Sequence, residues 1–154
     1  MLNIENQILD ISEVKYLALK LSKKLKLGDI LMLKGDLGVG KTTFARFIVD
    51  NLYLLNNLKN SSIIGSPTYP ILLTYDLKSF EIYHYDLYRI KNINELEELD
   101  FFENIEKSIT LIEWPEILIH LPFKKNYYLI NFDLYSETKR TVSYTHLRAH
   151  ETDR

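Results

Sequence analysis

The sequence predicts an α/β domain built around a nucleotide-phosphate loop, and three observations carry that prediction. The apolar run Ile30-Leu31-Met32-Leu33 follows a Gly-Asp turn and stops at Gly35, the pattern of a short buried parallel strand. Directly after it comes Gly35-Asp36-Leu37-Gly38-Val39-Gly40-Lys41-Thr42, which matches the Walker A pattern. An amphipathic helix then runs from about Lys41 through Phe44, Phe47, Ile48 and Leu52. Strand, glycine loop and helix in that order predict a single P-loop NTPase domain, with a central mixed, mainly parallel sheet flanked by helices.

The elements on either side fill in that domain. Val14, Leu17, Ala18, Leu21 and Leu25 recur at helical spacing, so a helix is expected there, with Ser12 as its cap and Gly28 as its stop. Its lysines Lys20, Lys23, Lys24 and Lys26 read as a solvated face. Residues 53–68 are rich in Asn and Ser and close on Gly65-Ser66-Pro67-Thr68, which reads as a polar, mobile connection. The runs Tyr69–Tyr75 and Phe80–Tyr85, separated by Asp76-Leu77-Lys78-Ser79, predict a hairpin. Asn94 is the expected cap of a short acidic helix carrying Glu95, Glu97 and Glu98. Ile109–Ile112 predicts another buried strand ending at Glu113-Trp114-Pro115, and a last strand is expected over roughly Tyr127–Asp133.

Composition narrows the class. The chain has 154 residues, 46% apolar and 26% charged, as one compact soluble domain requires. A net charge of −2 gives no overall field that would hold nucleic acid. The absence of cysteine excludes disulfides and thiolate metal sites and fits a reducing compartment. The first residues include Asn3, Glu5, Asn6 and Asp10 and lack the pattern of a secretory leader, and no run is long enough for a membrane span, so a cytoplasmic protein is expected. Residues 141–154 stand apart: they hold none of the 14 lysines but two of the five arginines and two of the four histidines, with no Ile or Asn. That shift divides the chain into a domain at 1–140 and a suspected non-native tail at 141–154; the rival reading is a native final strand beginning near Arg140.

The chemistry expected at the loop follows from its residue types. Glycines at 35, 38 and 40 let backbone N–H groups converge on phosphate oxygens without a side chain in the way. The helix head at Lys41 adds its dipole and free amides, Lys41 reaches β- and γ-phosphates, and the Thr42 hydroxyl suits Mg²⁺. A magnesium nucleotide also needs an acid at a strand end. Asp86, which ends Ile82-Tyr83-His84-Tyr85, and Glu113, which ends Thr110-Leu111-Ile112, both qualify, and sequence does not rank them.

Four strings in order, Gly35–Thr43, Ser66-Pro67-Thr68-Tyr69, His84-Tyr85-Asp86-Leu87-Tyr88-Arg89 and Glu113-Trp114-Pro115-Glu116, resemble the motifs of the bacterial TsaE family, formerly called YjeE. The resemblance covers residues from about 10 to 140. It implies an ATPase serving the threonylcarbamoyladenosine (t6A) modification of tRNA, with Mg²⁺ and ATP at the site. It also implies the TsaB–TsaD complex as partner, with tRNA reached only through that complex. By the same resemblance the nucleotide is held by Gly35, Asp36, Leu37, Gly38, Val39, Gly40, Lys41, Thr42 and Thr43, with Asp10 near the base or ribose. Glu113 and Asp86 join Thr42 at the metal, and Thr68 senses the terminal phosphate, so Lys41, Thr68, Asp86 and Glu113 form the expected catalytic set. Trp114 is expected beside the nucleotide, in the core or facing a partner, whereas His84 is expected to be structural. Pro70 departs from the family pattern, in which a strand donor is common at that position. A small P-loop kinase is the alternative, but outside the tail only Arg46, Arg89 and Arg140 are available, and no arginine-rich lid is visible.

Overall fold

The computed structural model describes residues 4–59, 71–119 and 125–147. Its strands are β1 (Ile4–Asp10), β2 (Ile30–Lys34), β3 (Leu72–Asp76), β4 (Glu81–Asp86), β5 (Ser108–Glu113), β6 (Tyr127–Leu134) and β7 (Lys139–Leu147). Its helices are α1 (Ile11–Lys24), α2 (Lys41–Leu55), α3 (Ile93–Glu98), α4 (Phe101–Asn104) and α5 (Glu116–Ile119). The strands form one sheet in the order β1-β7-β6-β2-β5-β4-β3. β2 lies parallel to β5 and β6, and β4 parallel to β5, while β3–β4, β6–β7 and β1–β7 are antiparallel. Thus β1, β6, β2, β5 and β4 run one way and only β7 and β3 oppose them, which makes the sheet mixed and mainly parallel as expected.

Alternation along the central strands builds two cores. Leu31 and Leu33 of β2, with Ile109 and Leu111 of β5, face α1 and α2 and meet Leu17, Leu21, Phe44, Ile48 and Leu52. Ile30 and Met32, with Ile112 and Tyr85, face the opposite way onto Leu96, Phe101 and Leu118 of α3, α4 and α5. Each wholly buried side chain of this size contributes about 1.5–3 kcal/mol, so the middle of the sheet is its most secure part. Phe44 meets Phe132 edge-on at 5.3 Å, tying α2 to β6.

The helix starts differ from expectation in one consistent way. Asp10, not Ser12, caps α1: its carboxylate accepts from the Glu13 amide at 2.9 Å while Glu13 accepts from the Asp10 amide at 3.1 Å. Asn92, not Asn94, caps α3 by the same reciprocal arrangement with Glu95. α1 ends at Lys24, before Gly28, whose left-handed φ of +92° turns the chain into β2. α2 runs to Leu55 with Tyr53 buried, so its end takes in the first residues of the polar connection. The hairpin is present as β3 and β4. β1 was not expected at all. The segment from Thr141 to Leu147 lies in β7 between β6 and β1, with Val142 and Tyr144 buried. Strand pairing concerns how that segment folds; its origin is a separate matter. Among the described residues no helix is long and apolar enough to cross a membrane.

Candidate functional site

The glycine loop bridges β2 and α2 at the carboxyl edge of the sheet, where open α/β sheets take their ligands. Gly35 is obligatory there by close approach. At its φ of +150° an added Cβ would stand 2.6 Å from the Phe132 carbonyl oxygen and 2.8 Å from a Val39 methyl. Gly40 takes a φ of +116° at the head of α2, and no side chain caps that helix end. The first-turn amides are therefore left to an external acceptor.

Lys41 opens α2 and is buried. Its ammonium donates to the Gly35 and Asp36 carbonyls and sits 3.6 Å from the centre of the Trp114 ring. Burial pushes its pKa down, against the opposing pull of Glu113, Glu116, Asp86 and Asp36. Trp114 takes a left-handed φ of +57°, a backbone cost of about 1 kcal/mol for a non-glycine residue. Tyr88 packs on the same indole at 4.7 Å.

At the next residue, the Thr42 hydroxyl donates to Glu113 Oε1 at 2.9 Å, and Glu113 Oε2 lies 2.7 Å from His84 Nε2. Glu113 and His84 are both buried. Alternation accounts for the meeting: Glu113 shares the α2-facing side of β5 with Ile109 and Leu111, and His84 and Asp86 share that side of β4 with Ile82. Asp86 pairs with Glu113 in the ladder and accepts from the Tyr88 amide at 3.0 Å. Burial raises the Asp86 pKa; the Tyr88 amide works against that shift and the Glu113 charge adds to it.

The structure thus brings Gly35–Thr42, Asp86, Glu113 and Trp114 to one edge of the sheet. Leu37 stands exposed at the loop tip and Thr43 is exposed on α2. Asp10 lies on the other side of the loop, lining a pocket of about 320 Å³ with Leu9, Gly38, Thr43, Phe132 and Arg140. Thr68, with Ser66, Pro67, Tyr69 and Pro70, lies outside the described residues. Two contacts escaped the sequence reading. Arg140 of β7 donates from Nε to the Val39 carbonyl at 2.8 Å, clamping the loop from the far side. His84 contacts Glu113, which the shared parity of Ile82, His84 and Asp86 could have suggested.

The oxygen donors suit a hard divalent cation such as Mg²⁺, which takes one or two protein oxygens and completes its shell with phosphates and water. Thr42 and Glu113 supply hydroxyl and carboxylate oxygens at hydrogen-bond separation beside the loop, and Asp86 adds a second carboxylate at the adjoining strand end.

Comparison with known proteins bears out the family resemblance. The family model for the threonylcarbamoyl adenosine biosynthesis protein TsaE matches residues 8–142. The tRNA threonylcarbamoyladenosine biosynthesis protein TsaE of Rickettsia felis is 44% identical over 131 residues, covering 85% of this chain and 73% of that one. Its counterpart in Rickettsia conorii is 50% identical over 109 residues, covering 71% of this chain and 59% of its own length. A crystal structure of YdiB from Bacillus subtilis superposes with a TM-score of 0.63 over 98% of this chain and 91% of that one, at 22% identity, which shows the shared fold. On the family match and on these identities, this chain belongs to the TsaE family, whose role is in the biosynthesis of threonylcarbamoyladenosine in tRNA.

Proposed function

We propose that this protein binds Mg·ATP at Gly35–Thr42 and hydrolyses it to keep the t6A-forming TsaB–TsaD complex turning over, in the cytoplasm, touching tRNA only through that complex. The observation that carries the proposal is the Thr42–Glu113 hydrogen bond at the head of an uncapped helix, with a buried lysine one residue away. An uncapped helix head suits anionic oxygens, and the adjoining hydroxyl–carboxylate pair suits their cation.

Within that reading each residue has one task. The backbone amides from Asp36 to Thr43 cradle phosphate oxygens, and Lys41 leaves the Gly35 and Asp36 carbonyls to meet the terminal phosphates. Thr42 and Glu113 hold magnesium, which when bound neutralises charge developing between the β- and γ-phosphates. Asp86, whose proton affinity is raised by burial, orients the attacking water and accepts its proton. Asp10 and the pocket beside it take the nucleoside, and Thr68 reports the γ-phosphate to the partner. Glu113 is favoured over Asp86 as the principal metal acid because it alone of the two bonds Thr42.

Two measurements test this reading. Calorimetry with Mg·ATP should show saturable binding that needs the metal, and phosphate release should rise when TsaB–TsaD is added. Absence of binding would refute the nucleotide site. Binding without stimulated release, but with phosphate transferred to a metabolite, would replace the ATPase with the kinase.

A further inference from the structure

The buried His84–Glu113 contact is the strongest feature that the functional reading above does not use. His84 is wholly buried at 0% exposure, and its ring faces the carboxylate from β4, while Thr42 faces it from α2. His84 pairs with Leu111 in the parallel ladder, which puts Glu113 on the next level of the same face, the diagonal position that a long side chain can reach. The two oxygens of Glu113 are therefore held from opposite sides, at 2.9 Å and 2.7 Å. A glutamate has three side-chain torsions, and one bond from Thr42 alone would leave the carboxylate free to pivot about it.

The second ring nitrogen fixes the tautomer. Nδ1 is buried with no hydrogen-bond partner in the described structure. A carboxylate accepts and does not donate, so the 2.7 Å contact requires the hydrogen on Nε2. A hydrogen on Nδ1 as well would be an orphaned buried donor, whereas a bare Nδ1 lone pair is the less costly omission.

We propose that His84 is a positioning residue that donates its Nε2 hydrogen to Glu113 Oε2 and so turns Oε1 toward the Thr42 hydroxyl and the magnesium position. The inference rests on the magnesium–ATP reading of the site. His84 acts only through Glu113: its ring is sealed from solvent and meets the carboxylate on the oxygen that Thr42 does not use. A ligand-orienting bond of this kind commonly changes metal affinity by about 10- to 100-fold when it is lost.

The test uses two amides of different reach in the full chain. Glutamine places its amide nitrogen where imidazole Nε2 stood, and asparagine places its own near the Nδ1 level, short of the carboxylate. His84→Asn should raise the magnesium concentration for half-maximal nucleotide binding by about 10-fold or more and lower kcat. Its affinity for metal-free nucleotide should be unchanged, and His84→Gln should restore wild-type behaviour within a few-fold. Equal behaviour of the two variants, or wild-type magnesium dependence in His84→Asn, would overturn the inference. Ring ¹⁵N spectra of the ligand-free wild-type protein give a readout free of nucleotide and of any folding defect in the variants. The Nε2-protonated tautomer is expected, and an Nδ1-protonated ring overturns the inference. If the wild-type protein bound no Mg·ATP, the functional reading would fail and the metal role with it. The spectra would then still decide the His84–Glu113 contact by itself.

Discussion

Replacing Lys41 by methionine keeps an unbranched stem of similar reach and removes the charge, so it isolates what the ammonium contributes. In the ligand-free protein that ammonium is buried, its pKa is pushed down by desolvation, and it is held by two carbonyls and the Trp114 face. Against nucleotide it should make charge-assisted bonds to two phosphate groups, together worth about 3–4.5 kcal/mol. It must first give up the carbonyl and aromatic contacts, which offset about 1–1.5 kcal/mol of that gain. The net loss in Lys41→Met is then about 2–3 kcal/mol, or about 30- to 150-fold in Kd. Thermal stability should change far less. The thioether removes the desolvation cost of the cation but also its carbonyl and ring contacts, and the two effects oppose one another, so Tm should stay near the wild-type value. Calorimetry with Mg·ATP and a thermal melt, run on the same preparation, measure both quantities. Unchanged affinity would refute the assignment of Lys41 to phosphate, and a fall in both affinity and Tm would mean that the lysine holds the fold together rather than the ligand.

Thr42→Ala should weaken the dependence of binding and turnover on magnesium while sparing metal-free nucleotide affinity, as a Mg²⁺ titration at fixed nucleotide would show. Asp10→Ala should lower Tm by a few degrees through loss of the α1 cap. The Glu13 amide and then the Ser12 hydroxyl hold the Asp10 carboxyl below the ordinary aspartate range. Its stabilising effect is therefore complete above the unfolded-state pKa and disappears as pH falls through the lower folded-state value, so melts of wild type and variant should converge on the acid side. Thr68→Ala should reduce the preference of TsaB–TsaD for the ATP-analogue state over the ADP state without changing ADP affinity; a pull-down across nucleotide states that retained the full preference would contradict the sensor role.

The parts of the fold that were legible in sequence are those whose signals are local. β2, the glycine loop and α2 announce themselves within 26 consecutive residues, Ile30 to Leu55, because burial, backbone freedom and helix periodicity are each written on neighbouring positions. The caps were only partly legible: Asp10 stands three residues before Glu13 whereas Ser12 stands three before Lys15, but Asn92 and Asn94 each stand three residues before a glutamate, so that spacing could not choose between them. β1 escaped notice because Leu9 is its only buried residue, so an edge strand whose other face is wet shows no alternation. The strand order was not legible, since pairing partners are chosen by tertiary fit. Asp86 and Glu113 could not be ranked for the same reason. Both end buried strands, and only the placement of α2 over β5 gives Glu113 the hydroxyl of Thr42. In residues 141–147 two signals coexist: a composition unlike the rest of the chain, and the inward Val142 and Tyr144, which fix how the segment pairs.

The bond from Arg140 to the Val39 carbonyl joins the phosphate loop to β7, which lies between β6 and the edge strand β1. Ligand occupancy and cohesion of that margin of the sheet are consequently one thermodynamic quantity seen from two ends. A ligand that orders the loop should slow hydrogen exchange at the amides of β7 and β1, well away from any phosphate. Conversely, a lesion that loosens the margin should appear as weakened affinity even though it touches no group that meets the ligand. Within this small domain, Arg140 is the side chain through which the β7 margin reaches the loop at its centre.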